Sequence, residues 1–148
     1  MTGRSETESA FKNRCANAER MLASLTGYSI SRISFEAFNE DDSMEITMRD
    51  GPTKPDVVIS LSDLRYVAVS KPPEISGCFI DAISLTHLPE MPHPWPEDAA
   101  GRVGRFNGLN ELAWLRISGP AEVDVVASIL TVYTAMSDDE AEQISTPS

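Results

Sequence analysis

Residues 78–88 read CFIDAISLTHL and form the longest β-rich run of the chain in which both alternating sets of side chains are mainly apolar. The apolar members are Phe79, Ile83 and Leu85 in one set, and Cys78, Ile80, Ala82 and Leu88 in the other. Strands with apolar side chains on both sides are typical of sheets that are covered on both faces. We therefore expect this run to be a central strand, with the other elements packed around it.

The N-terminal part of the chain has the spacing of an amphipathic helix. Its apolar residues recur at alternating steps of four and three, at Phe11, Cys15, Ala18, Leu22 and Leu25. Ser5 and Glu8 have the spacing of a capping box, and Gly27 stands where a left-handed residue would end a helix. The pattern predicts a helix over residues 6–26 that packs on a sheet. A coiled-coil partner would suit the same spacing, but only about two heptads are present.

Five further segments have the composition of β-strands. They contain alternating apolar residues, many of them β-branched, and turn-forming residues separate them. They lie at residues 28–38, 44–49, 56–70, 112–118 and 123–133. Within the third segment two apolar alternations are out of phase, which predicts a bulge or turn at Ser62 and Asp63. The last segment is apolar in both alternating sets, which favours an internal strand.

Together these elements predict an α+β fold in which an N-terminal helix packs on an antiparallel sheet or sandwich of about six strands. The 148 residues suffice for one core. We expect a single globular domain over residues 1–135, followed by an acidic, disordered tail at residues 136–148. Residues 89–111 contain four prolines and three glycines, and they are expected to form a long loop that is either functional or disordered.

Composition limits the classes of partner. The net charge is −11, although residues 1–35 hold five basic and three acidic residues. An acidic surface repels nucleic acid, so we expect a basic protein partner; the alternative is that the charge serves only solubility. No segment has the apolar length of a membrane span, and the first residues lack the apolar core of a signal peptide. We expect a cytoplasmic protein that binds neither nucleic acid nor membrane.

The sequence contains no recognisable catalytic, cofactor or metal motif. Two prolines separate His87 from His93, and their spacing matches no common zinc pattern. Ser84 would point to the opposite side of its strand from His87 and Asp81, so a hydrolase triad is not expected. The chain also lacks a G-x-S-x-G elbow and a glycine-rich phosphate loop. We expect no enzymatic activity, no cofactor, no metal and no disulfide.

Two features are candidates for a partner-binding surface. Five acidic residues surround the tip of the predicted hairpin with no base between them, at Glu36, Glu40, Asp41, Asp42 and Glu45. Their charge suits a basic protein surface, whereas the alternative is a solvated turn. The stretch NEDDSME lacks the glycine and the ligand spacing of a calcium loop. The second candidate is Trp95, which stands between prolines and offers a rigid anchor, unless it folds back over the sheet edge.

Residues 61–73, LSDLRYVAVSKPP, and the later segments FIDAISLTHLP and PWP resemble small bacterial immunity-type proteins. The resemblance covers residues 30–134 and rests on the cadence of these segments. Immunity-type proteins are single cytoplasmic domains that neutralise a toxin by binding it, so the resemblance implies tight protein binding without a cofactor. It carries over no functional residue.

The resemblance and the acidic charge together predict a non-enzymatic inhibitor of a basic toxin, such as a nuclease whose cationic cleft the acidic hairpin would occupy. The alternatives are a regulatory or structural interaction module and an enzyme with an unrecognised site.

Overall fold

The computed structural model describes residues 2–37, 42–71 and 79–135. Its elements in chain order are α1 Thr2–Ala23, β1 Ser29–Glu36, β2 Ser43–Arg49, β3 Asp56–Ser70, β4 Ala82–Leu88, a 3-10 helix at Glu97–Gly101, β5 Leu112–Ser118 and β6 Glu122–Ala135. The strands form one open antiparallel sheet, and α1 packs against it. The predicted fold class is therefore confirmed. The predicted tail at residues 136–148 lies outside the described residues.

Helix α1 packs on the sheet through the predicted apolar stripe. Ala18 and Leu22 are buried, as is Leu25 just after the helix, while Lys12 and Glu19 are exposed. Burial of this stripe follows from the period of the helix, which brings residues three and four apart onto one face. The buried face of α1 is thus the one that its sequence predicts.

The ends of α1 differ in part from the prediction. The helix begins at Thr2, so Ser5 lies inside it and the expected capping box does not mark its start. It ends at Ala23, a few residues earlier than expected. Gly27 then adopts a φ of 94°, the left-handed conformation predicted for it. The chain turns there toward β1.

The strand order across the sheet is β1-β2-β3-β6-β5-β4. The prediction that residues 78–88 form the central strand is wrong, because β4 lies at an edge of the sheet next to β5. The strand begins only at Ala82, which is exposed, and Phe79 before it is 59% exposed. Two apolar residues of β4 are nevertheless buried on opposite sides. Leu85 faces the core under α1, and Leu88 belongs to a second core on the other face of the sheet. Because both faces of β4 are covered, this edge strand has the apolar sequence pattern that is expected of a central strand.

The centre of the sheet is the long pair formed by β3 and β6. The internal position predicted for β6 is confirmed, since it lies between β3 and β5. Strand β3 is continuous, but its register with β6 shifts between Leu64 and Tyr66, directly after Asp63 with its φ of 55°. The positive φ lies at the predicted position, but the register shift follows Leu64, later than predicted. Leu64 packs on the core under α1 and Tyr66 on the second core, so the predicted second alternation does not stay on one face.

Residues 89–111 fold across the face of the sheet opposite α1. Ala99 in the 3-10 helix and Val103 pack with Trp114 of β5 and Val126 of β6 in the second core. The predicted long loop is thus an apolar cover for one half of this face. Its burial explains why β5 and the first part of β6 are apolar on both sides.

The two edges of the sheet approach one another at one end. The backbone N–H of Gly27 donates to the carbonyl of Ile80 at 3.0 Å, and the N–H of Ile80 donates to the carbonyl of Tyr28 at 2.8 Å. These bonds join the residues just before β1 to those just before β4. Gly119, after β5, lies directly against this junction: a β-carbon placed on it would lie 2.9 Å from the Cα of Ile80.

Candidate functional site

The structure places part of the predicted acidic cluster on the β1–β2 hairpin. Glu36 is the last residue of β1 and Glu45 lies in β2, and both are exposed. Asp42 lies just before β2 and is partly buried. Glu40 and Asp41 lie outside the described residues. Two members of the cluster, Glu36 and Glu45, therefore remain as exposed carboxylates that could face a partner.

Asp42 has contacts within the chain instead. Its Oδ1 accepts a hydrogen bond from the backbone N–H of Leu64 at 3.1 Å, and its carbonyl accepts one from the N–H of Asp63 at 3.2 Å. These bonds attach the start of β2 to the irregular part of β3. The Asp42 carboxylate therefore stabilises the fold at this point, in the way that Asp side chains commonly satisfy backbone donors.

Trp95 folds back over the sheet. Its Nε1 donates to the carbonyl of Pro89 at 2.7 Å, and the guanidinium carbon of Arg105 lies 4.7 Å from the centre of its ring. The ring is partly buried against the second core. Trp95 and Glu45 share the sheet face opposite α1 but lie in different halves of it, so the structure does not bring the two predicted candidates together.

The half of that face that residues 89–111 leave open is the strongest candidate for a binding surface. It consists of the outward side chains of β1, β2, residues 56–62 of β3 and residues 129–135 of β6; we call it the open half-face. Within the described ranges no element covers it. Many of its side chains are short and polar, among them Ser34, Thr47, Ser60 and Thr131. Asp56 and Val58 of β3 are buried within this face, whereas Glu45 and Thr131 are exposed on it.

Two large side chains of β6 stand exposed on the open half-face. Ile129 is 56% exposed and Tyr133 is 40% exposed. The hydroxyl of Tyr133 donates to Oε2 of Glu45 at 3.2 Å. Partial desolvation and the negative charge of Glu45 raise the pKa of Tyr133, so the hydroxyl keeps its proton and remains a donor. A predicted acidic residue therefore stands beside an exposed aromatic ring.

Sequence reasoning identified Glu45 but missed Tyr133 and Ile129. Both belong to an apolar alternation in β6, and such an alternation by itself indicates burial. The signal that would have found them is the length of the strand. Because β6 spans Glu122–Ala135 whereas β5 spans only Leu112–Ser118, its second half extends beyond the part of the face that residues 89–111 cover, over Trp114 and Val126.

A groove of about 520 Å³ separates α1 from the second half of β6. The side chains that line it are mainly apolar on the β6 side and mixed on the helix side. They belong to Phe11, Arg14, Cys15, Asn17, Ala18 and Met21 of α1 and to residues 128–132 of β6. The groove thus lies between a helix and a strand.

The backbone of β6 is unpaired along this groove. Pairing with β5 reaches only as far as Ala127, whereas pairing with β3 continues to Ala135. In an antiparallel ladder, alternate residues direct their N–H and C=O groups to opposite neighbours. Among the described strands, residues 128–135 therefore have no partner on one side; we call this segment the free edge.

A second polar cluster lies beneath α1. Nε2 of His87 and Oε1 of Glu111 are 2.7 Å apart, and their side chains are 16% and 9% exposed. The centres of the Phe11 and His87 rings are 5.5 Å apart. Within the described part of the chain, no group of three or more His, Cys, Asp or Glu side chains could hold a metal ion. His87 thus pairs with an acid that sequence reasoning did not connect with it.

Cys15 borders both this cluster and the groove, but its thiol is not activated. Burial, and then the charge of Glu111, raise the pKa of Cys15 to about 11. A thiol that is protonated at neutral pH is a poor nucleophile. No hydrogen bond joins it to His87 among the contacts of the described residues. The Cys15 thiol therefore behaves as a small apolar group in the core.

The raised pKa of Cys15 gives a testable dependence of stability on pH. Because the pKa rises from 9.0 to about 11 on folding, the folded state holds the thiol proton more tightly. The resulting stabilisation is complete below pH 9 and is lost as the pH rises to about 11. Urea unfolding of the wild type and of Cys15→Ala should therefore show a stability difference that shrinks over this interval. A difference that stays constant with pH would contradict the raised pKa.

The sequence matches no model of a protein family, and no curated protein matches it. None of the helices in the described ranges is long and apolar enough to cross a membrane.

Proposed function

We propose that this protein is a non-enzymatic binding domain for a basic protein, and that it acts as an immunity-type inhibitor of a basic toxin. The observation that carries the proposal is the open half-face, where Ile129 and Tyr133 are exposed beside Glu45. Exposed aromatic residues with a hydrogen-bonding group are enriched at the centres of protein interfaces. The surrounding short polar side chains would form the rim.

The distribution of charge supports a basic partner. The chain carries a net charge of −11 although residues 1–35 are net basic, so the negative charge belongs to the remainder of the chain. On the open half-face, Arg49 forms a bidentate pair with the carboxylate of Asp56, at 3.0 Å for both contacts, so its charge is balanced. Among the described residues of this face, Arg32 of β1 is also exposed, beside the two exposed carboxylates of Glu36 and Glu45. The carboxylates outnumber this base. They would steer a cationic protein toward the face.

The charge part of the proposal can be tested with Glu45→Lys. The partner for this test is a candidate basic toxin sought in the same genomic neighbourhood, since the genes of a toxin and its inhibitor are expected to be neighbours. Association at low salt should slow by about tenfold, and the difference should shrink at high salt because ions screen exposed charges. Stopped-flow mixing or surface plasmon resonance measures both rates. Asp42 stays unchanged in this test because its carboxylate contacts Leu64.

Glu97→Lys is the matched control, because it makes the same charge change at an exposed position on the covering segment. If both variants slow association equally, total charge and not the open half-face steers the partner.

Tyr133→Ala should instead accelerate dissociation, since a central aromatic contact acts mainly after docking. Inhibition of the partner's toxicity in the same assay separates an inhibitor from a non-inhibitory module. A partner that binds all three variants like the wild type would refute the proposal.

A further inference from the structure

We propose that the groove between α1 and β6 binds an extended segment of a partner protein, which pairs with the free edge as an additional strand. This inference goes beyond the function proposed above. It concerns the groove and the backbone edge of β6, whereas the function proposed above concerns the outward side chains of the open half-face; residues 129–135 contribute to both. It does not require a basic partner.

The free edge has the properties of a strand that accepts another. Its sequence, SILTVYTA, contains no charged residue and no proline. Exposed edges are normally blocked by such residues or by bulges, which prevent pairing with other chains. Here the register with β3 is regular from Ser62 opposite Ile129 to Asp56 opposite Ala135. No bulge therefore interrupts residues 129–135, and this part of the free edge can pair with an added strand.

The walls of the groove suit the side chains of such a strand. On the helix side, Ala18 is small and leaves space, and Met21 is 44% exposed beside it. On the strand side, Leu130 and Val132 border the groove and pack partly on the core. An added strand directs every second side chain to the same side. Alternate apolar residues of the bound segment would thus enter between α1 and β6, where Met21 adapts to their shape.

The basic residues of α1 beside the groove indicate which charge the bound segment of the partner carries. Arg14 lines the groove, and residues 10–23 of α1 hold three bases and one acid. The free edge itself is uncharged. A segment with alternating apolar residues and a carboxylate placed near Arg14 would therefore be complementary to the groove.

A second folded copy of this protein fits the groove less well. Helix α1 borders the space beside the free edge, so a second copy would have to bring its own α1 into that space. A single extended segment needs only the width of one strand, about 4.8 Å from β6. We therefore assign the groove to a segment of another protein.

The test begins with a phage-displayed library of random peptides selected on the full chain, followed by synthesis of the strongest binder. Selected peptides should combine alternating apolar residues with an acidic residue. In the free protein, alternate amides of residues 128–135 should exchange their hydrogens rapidly, and the synthetic peptide should slow them. Failure to select any peptide, or peptides that protect other amides instead, would overturn the proposal.

Backbone pairing is tested by N-methylation of the synthetic peptide. Only one edge of an added strand faces β6, so methylation of one alternate set of amides should weaken binding at least about tenfold, and methylation of the other set should not. Equal effects of the two methylated peptides would exclude strand addition.

Protein variants identify the groove. Arg14→Glu should weaken binding of the synthetic peptide by about tenfold, whereas Lys12→Glu makes the same charge change at an exposed residue that does not line the groove. Equal losses would show a general charge effect and contradict the assignment. The Glu45→Lys variant should bind the peptide as tightly as the wild type. Loss of peptide binding therefore tests the groove, whereas loss of binding to the basic partner tests the proposed function. A dimer in sedimentation, with these amides protected before any peptide is added, would overturn the proposal in favour of a second copy.

Discussion

Replacement of Leu22 by alanine is expected to lower the free energy of unfolding by about 2–5 kcal/mol. Leu22 is completely buried and lies in the core between α1 and the sheet. The substitution removes apolar contacts and leaves a cavity that the sheet and helix cannot both close. Urea unfolding, followed by circular dichroism, measures the loss.

The matched control is Met21→Ala, at the adjacent position of the same helix. Met21 is 44% exposed, and methionine and leucine have similar helix propensities, so the change in propensity is nearly the same. Its effect should stay below about 1 kcal/mol. Equal losses in the two variants would mean that α1 is not held on the sheet by its buried stripe.

Gly119→Ala is expected to destabilise the fold by about 1–3 kcal/mol, because the added methyl group meets backbone and not flexible side chains. It would lie 2.9 Å from the Cα of Ile80 and 3.0 Å from the carbonyl oxygen of Phe79. Ile80 is fixed on its other side by hydrogen bonds to Gly27 and Tyr28. The clash can therefore be relieved only by moving the junction between the two sheet edges. Thermal or urea unfolding would detect the change.

Gly104→Ala is the control for this substitution. A β-carbon on Gly104 meets nothing within 4 Å, and its backbone does not require a positive φ. The variant should be as stable as the wild type or slightly more stable, because alanine restricts the unfolded chain. If Gly119→Ala were equally harmless, the edges of the sheet would not be packed as closely as described.

Local periodicity was enough to predict much of this fold. The spacing of Ala18, Leu22 and Leu25 identifies the buried face of α1, because a helix brings residues three and four apart together whatever the rest of the chain does. The same holds for the six strands, whose alternation and turn residues are local properties. An irregularity within β3 was also readable from the break in phase, although the register shift follows Leu64, later than predicted.

The sequence did not determine which strand is central. Leu85 and Leu88 of β4 point to opposite faces and are both buried, as in a central strand. Their burial comes from α1 on one face and from residues 89–111 on the other. Side-chain burial depends on the layers above and below a sheet, whereas strand order depends on hydrogen bonding within it. An edge strand that is covered on both faces therefore has the same apolar pattern as a central one.

For the candidate site, the sequence by itself determined the acidic character of the hairpin, but only the tertiary structure decided which residues are available. Asp42 and Glu45 are equivalent in composition, yet Asp42 bonds to Leu64 and Glu45 stands beside Tyr133 on an uncovered face. The free edge exists because pairing with β5 stops at Ala127 while β6 continues to Ala135. Where one strand ends beside another is set by contacts between distant parts of the chain, and no local pattern within β6 records it.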